Sequence, residues 1–157
     1  MTGMIVILII ISIAVIAYRG ISKENRRSTT EFLKSFDATS FEQVKINIIH
    51  TSVGKGSVVG GLPMSAILYY SDNLILIVSE GGFSANLPLV IAKAKSETGT
   101  VTVNGSAVVP GSFKVTSWNS ILLKYQKQLL FETECSIRIN LLNRKDFEKI
   151  SGIIHWC

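Results

Sequence analysis

The residues that most constrain this chain are Met4 to Tyr18, MIVILIIISIAVIAY. No charged side chain stands between Met1 and Arg19. A helix over 1–18 rises about 27 Å at 1.5 Å per residue, close to the hydrocarbon thickness of a bilayer. Ser12 is the polar interruption, and its hydroxyl can bond back to a helical carbonyl. The many β-branched residues do not oppose a helix here, because a lone segment in lipid can satisfy its backbone only as a helix. A cleaved signal peptide would need a charged start and a small-x-small cleavage site. This chain starts Met-Thr-Gly-Met and offers Ala17-Tyr18-Arg19-Gly20 instead. The reading is a transmembrane signal anchor over 1–19, with residues 2–18 in the bilayer.

Charge gives the anchor a direction. Arg19, Lys23, Arg26 and Arg27 follow the apolar run directly, with Glu24 opposing them. The positive-inside rule places that side in the cytosol and the N-terminus outside. The net charge of +5 thus sits largely beside the membrane, and the rest of the chain is close to balanced. That distribution argues against a nucleic-acid partner. It makes the four basic residues candidates for contact with anionic lipid headgroups, at about 1 kcal/mol each.

Residues 20–41 read as a basic juxtamembrane linker and a short helix, with residues 19–30 either a short linker or an extension of the first helix at the headgroup level. Thr30 is placed to cap that helix, and Phe32, Leu33 and Phe36 share one face of it. Residues 42–157 read as one β-rich domain. Val44, Ile46 and Ile48 alternate with polar neighbours, as in a half-buried strand. Thr51 to Gly61 reads as a flexible, Gly-rich loop. Ala66 to Tyr70 and Leu74 to Val78 flank Ser71-Asp72-Asn73 as a hairpin. Asn104-Gly105 between β-prone flanks is a strong hairpin signal. Phe113 to Trp118, Ile121 to Tyr125, Leu129 to Thr133 and Ser136 to Leu142 continue the series, with Lys127-Gln128 as a turn. Asn143, with Asp146 at the third helical position, opens an amphipathic helix carrying Phe147, Ile150, Ile153 and Ile154. The expectation is a mainly β barrel of about seven short strands with a C-terminal helix, behind one transmembrane helix.

MSAILYYSDNLILIVSE at 64–80 resembles the early hairpin of GRAM and bacterial pleckstrin-homology-like domains. SWNSILLKYQKQLLFETECSIRINLLNRKDFEKISGII at 117–154 is similar to their closing strands and C-terminal helix. The resemblance implies a pleckstrin-homology-like barrel and, since bacterial members often accompany transmembrane helices, a bacterial cytoplasmic membrane. It does not by itself supply a function, since many such domains bind proteins, some bind phosphoinositides and many have no known ligand. The usual phosphoinositide pattern starts from a Lys in the first hairpin, a place Lys45 or Lys55 could fill. It continues with Lys/Arg-x-Arg on the next strand, but Pro63 to Tyr70 contains no Lys or Arg.

Catalytic patterns are sparse. TSVGKGSVVGGLP departs from a phosphate loop, because Gly56 rather than Ser or Thr follows Gly54-Lys55. Lys55 is retained as a candidate residue for a partner or ligand. His155 and Cys157 alone do not make a zinc site. Two cysteines, Cys135 and Cys157, make no disulfide framework, though a bridge between them stays open. Glu132 and Glu134 share a strand face and read as solvated charges. Cys135 reads as a strand residue, with a Cys-His pair using it left open. The expectation is no enzyme, no metal and no cofactor. The function expected is a membrane-tethered module recruiting or scaffolding protein partners, with an anionic-lipid sensor as the alternative and a small membrane enzyme using His50 or the Glu132/Glu134 pair as a third, lesser reading.

Overall fold

The computed structural model describes residues 2–54, 57–80, 87–92, 100–103, 105–117, 119–128, 132–140 and 143–154. Lys55, Trp118, His155, Trp156 and Cys157 lie outside them.

The first element, α1, is one uninterrupted helix from Thr2 to Ser35. Its segment from Val6 onward is long and apolar enough to cross a membrane, with a mean hydropathy of 2.0. Among the described residues nothing covers its apolar part: large side chains from Val6 to Ile16 stay between 44 and 71% exposed. Ser12 Oγ donates to the Leu8 carbonyl at 2.8 Å, so its polarity is absorbed inside the helix. Thr30 does not cap a separate helix. Its Oγ1 donates to the Arg26 carbonyl at 2.9 Å, and Thr29 does the same to Asn25. Nothing in residues 19–30 breaks a helix, and Arg27 and Glu31 support it as an i,i+4 ion pair. Asp37, at a φ of 50°, ends the run and starts a 3₁₀ turn over Ala38–Ser40.

Among the described residues eight antiparallel strands follow: β1 Glu42–Gly54, β2 Ser57–Ser71, β3 Leu74–Ser79, β4 Leu89–Ala92, β5 Thr100–Val103, β6 Ser106–Ser117, β7 Ser120–Gln128 and β8 Glu132–Asn140. Each pairs with the next, and β8 returns to β1, so the sheet curls into a closed barrel. A final helix, α2, spans Arg144–Ile154.

Strand count and several boundaries correct the sequence reading. Thr51 to Gly61 is not a loop: β1 runs to Gly54, and β2 starts at Ser57 in register with it. Gly60 and Gly61, at φ of 111° and 99°, sit where that register shifts. They signal a bulge, which glycine mimics as a loop in sequence. Lys127-Gln128 is not a turn, because β7 runs through both in register with Thr133 and Glu132. Two long strands therefore replace three short ones. The short β4 strand, LVIA, had no alternation to reveal it.

Alternate residues fill the barrel. Ile46 and Ile48 from β1, Leu68 from β2, Ile75 and Ile77 from β3, Leu123 from β7 and Ile137 and Ile139 from β8 are all buried in one cluster. Ile150 of α2 joins it, with Phe147 packed alongside. Asn143 caps that helix, its Oδ1 accepting from the Asp146 N–H at 2.8 Å. The cap satisfies a helix-end donor and fixes where α2 starts.

Leu76 and Val90 are buried too, but in a second cluster with Ala38 on the outside of the wall. Phe32, Leu33, Phe36, Phe41, Tyr69 and Leu74 pack around them. That double burial is why β3 reads as an unbroken apolar run, LILIV, rather than alternating.

Candidate functional site

The barrel has two unlike ends. At one, α2 is pinned by polar contacts. The Tyr70 phenol donates to Glu42 Oε2 at 2.9 Å and lies 3.3 Å from Asp146 Oδ1. Lys149 pairs with Glu42 and sits 5.9 Å from the centre of the Tyr70 ring. These partners hold the Glu42 carboxyl below the usual carboxylate range, Lys149 first and Tyr70 second. Burial, together with the two carboxylates, pushes the Tyr70 phenol up. Ser120 Oγ donates to Asn140 Oδ1 at 2.8 Å on the same rim.

Toward the other end the barrel interior turns polar. His50 is 6% exposed, and its Nε2 lies 3.2 Å from the Tyr125 phenol. Tyr125 is also hydrogen-bonded to Cys135, a buried free thiol. Burial pushes both the Tyr125 phenol and the Cys135 thiol up. Burial, with the Lys127 ammonium adding to it, pushes the His50 imidazole down. All three groups are therefore neutral near pH 7. The imidazole, the phenol and the thiol form one buried hydrogen-bonded chain. A nucleophilic cysteine needs a thiolate in electropositive, accessible surroundings, and this interior raises the thiol instead.

Sequence reasoning named His50 and Cys135 and missed the residue that joins them. Tyr125 stands in an ordinary-looking strand, SILLKYQKQ. Only the pairing of Tyr125 with Cys135 across β7 and β8 reveals the contact. Glu134 lies on the outer face, paired with Lys124 at 3.3 Å, with both side chains about half exposed. Among the described residues, no three His, Cys, Asp or Glu side chains converge to hold a metal ion.

The more informative site is the junction of α1 with the barrel. Asn25, Arg26, Thr29, Thr30 and Leu33 line one side of a groove of about 300 Å³, with Ile67, Tyr69, Val78, Ser79 and Glu80 on the other. Lys45 closes an ion pair with Glu80 at its edge. Asn25 Nδ2 is enclosed there with no hydrogen-bond partner among the described residues.

The order of contacts fixes a direction. Residues 32–41 pack on Leu74 and Leu76, early in β3. Residues 25–33 line the groove with Val78 to Glu80, late in β3. Running back along α1 toward its apolar half therefore runs forward along β3. The barrel end carrying His50 faces the apolar half of α1, and the end plugged by α2 faces away.

At 100° per residue, Arg19, Lys23, Arg26 and Arg27 fall within one arc of about 100° on α1. Arg26 also reaches into the groove, Arg27 is held by Glu31 at 2.9 Å, and Arg19 and Lys23 stand exposed before the docked segment. Tyr18, Arg19, Ser22, Lys23 and Arg26 border a shallow notch of about 270 Å³.

No family model, curated protein or solved structure matches this chain.

Proposed function

We propose that this protein is a membrane-tethered interaction module. Residues 2–18 cross the bilayer, and the barrel is held at the membrane surface to present its outer wall to a protein partner. The observation that carries this reading is the docking of α1 on the barrel through Leu76, Val90 and Ala38. A tether needs only a flexible linker. A helix that continues from the span and then packs on the domain fixes how that domain faces the membrane, which matters for binding at a surface. Binding rather than catalysis is favoured because the interior trio is neutral and mutually hydrogen-bonded.

The positive-inside rule places the barrel in the cytosol, at a bacterial cytoplasmic membrane on the family resemblance. That resemblance stays part of the proposal. A C-terminal helix closing a barrel supports it, and eight strands in one closed sheet depart from it.

Photo-crosslinkers at exposed wall positions such as Lys124 and Val115, in the full chain in its native membrane, test the module. The expected result is a discrete adduct that disappears when docking is loosened by Leu76→Ala. The reading fails if no wall position gives an adduct, or if adducts persist unchanged in the undocked variant.

The basic arc favours a second reading, an anionic-lipid sensor. Binding to anionic vesicles would then weaken as salt rises, and salt-independent behaviour would exclude it.

A further inference from the structure

At the barrel end that faces the apolar half of α1, the β1–β2 hairpin extends well past β3, while β8 accompanies β1 as far as Val53. β3 stops at Ser79, which pairs with Ala66, and the Glu80 N–H donates to the Ser65 carbonyl at 3.2 Å. β2 continues away from that level to Ser57. Eight residues at roughly 3.3 Å reach about 26 Å. A barrel tilt near 40° leaves about 20 Å along the axis.

Glu80 shares the groove with Asn25. From Asn25 back to Arg19, the first charge after the apolar run, α1 covers about 9 Å. The β1–β2 hairpin is thus long enough to reach the level of Arg19.

It carries apolar side chains that are exposed among the described residues. Leu62 is 82% exposed and Val53 is 47% exposed. Single exposed apolar residues are ordinary on soluble surfaces, and the position of these two gives them meaning. Gly60 and Gly61 bend the strand beside Leu62. A side chain at Gly60 would meet the His50 carbonyl oxygen at 2.2 Å, so the bend is built for glycine.

We propose that the β1–β2 hairpin, through Leu62 and Val53, inserts into the interfacial layer of the bilayer that α1 crosses. The barrel then holds the membrane at two places, and lipid rather than protein covers this edge. Apolar side chains gain free energy by burial at the headgroup–acyl boundary. The inference rests on α1 spanning the bilayer and does not depend on a protein partner.

The test uses the full chain, with Cys157→Ser, in vesicles of mixed neutral and anionic lipid. Leu62→Cys and, independently, Val53→Cys carry an environment-sensitive fluorophore. Cys135 is buried and left in place. Asp72→Cys, an exposed position at the opposite end of the barrel, is the reference. The expected result is blue-shifted emission at 62 and 53, quenched by nitroxides on the lipid, and neither effect at 72. Emission at 62 and 53 matching that at 72 would overturn the proposal. So would a shift that fades as the chain is diluted into more lipid, which would assign this edge to a second copy. Resistance of the same samples to carbonate extraction reports the span separately. An extracted chain means the tether reading has failed, whereas a retained chain with unshifted labels means the hairpin proposal has.

Discussion

Leu76 and Ile77 are neighbours on one strand, both fully buried, yet they serve different clusters. Ile77 belongs to the barrel interior, and Leu76 lies outside the wall beneath Phe32, Leu33 and Phe36. Truncating either to alanine removes about three methylene equivalents, at roughly 0.8 kcal/mol each. The cost is about 2.4 kcal/mol before any cavity term, which takes such changes to about 2–5 kcal/mol. About 2.4 kcal/mol already corresponds to about fiftyfold in an equilibrium constant. For Ile77→Ala the loss falls on the whole barrel. For Leu76→Ala it falls mainly on the docking of α1, since Ile75 and Ile77 keep the interior filled. Hydrogen exchange followed by mass spectrometry on the membrane-reconstituted chain separates the two. Leu76→Ala is expected to speed exchange over residues 26–41 while β1, β7 and β8 keep their protection. Ile77→Ala is expected to speed exchange throughout the barrel. If Leu76→Ala lowers protection in β7 and β8 as much as in α1, the second cluster is not a docking surface and the reasoning fails.

Three further outcomes follow from particular contacts. Gly60→Ala should destabilise the barrel by more than Gly61→Ala, because its Cβ meets the His50 carbonyl while Gly61 has open space around it; denaturant midpoints of the two variants compare them directly. Asn143→Ala should cost about 1 kcal/mol through the lost N-cap of α2, read from the same denaturation curves. His50 is held below its ordinary pKa by burial and Lys127, so the unfolded chain binds a proton before the folded one does. The stability this group confers is present above about pH 6.5, its unfolded value, and is lost as pH falls from there toward its folded value. Thermal unfolding of wild type should therefore lose more between pH 7.5 and 5.5 than that of His50→Gln, and equal losses would contradict the assignment.

Much of the fold was legible where one physical signal acted alone. The apolar run before Arg19, the Asp72-Asn73 turn and the Asn143 cap each rest on local chemistry, and each stands in the structure. Sequence reading failed where two demands met in one segment. Gly60 and Gly61 look like a loop because glycine serves loops and bulges alike, and only pairing with β1 separates them. LILIV gave no hint that its alternate residues serve two different clusters. Residues 19–30 read equally as a linker or as a helix extension by composition, and the structure continues α1 through them.

The candidate site was less legible, because its parts meet only in three dimensions. The basic residues after Tyr18 were visible as a cluster. Their arrangement beside a groove depends on where Leu33 and Phe36 dock, and that partner surface lies more than thirty residues away on β3. Tyr125 had no local signal, since a buried tyrosine in a strand is ordinary until its neighbours are known.

The central claim is that α1 docks on the barrel and turns its His50 end toward the bilayer. Energy transfer from a dye confined to the vesicle surface to single labels at the two barrel ends tests it most directly. With labels at Val53→Cys and Asp72→Cys in the full chain, the account predicts clearly more efficient transfer to position 53. Equal transfer would mean that the barrel tumbles on its tether, and stronger transfer to position 72 would mean that it faces the other way.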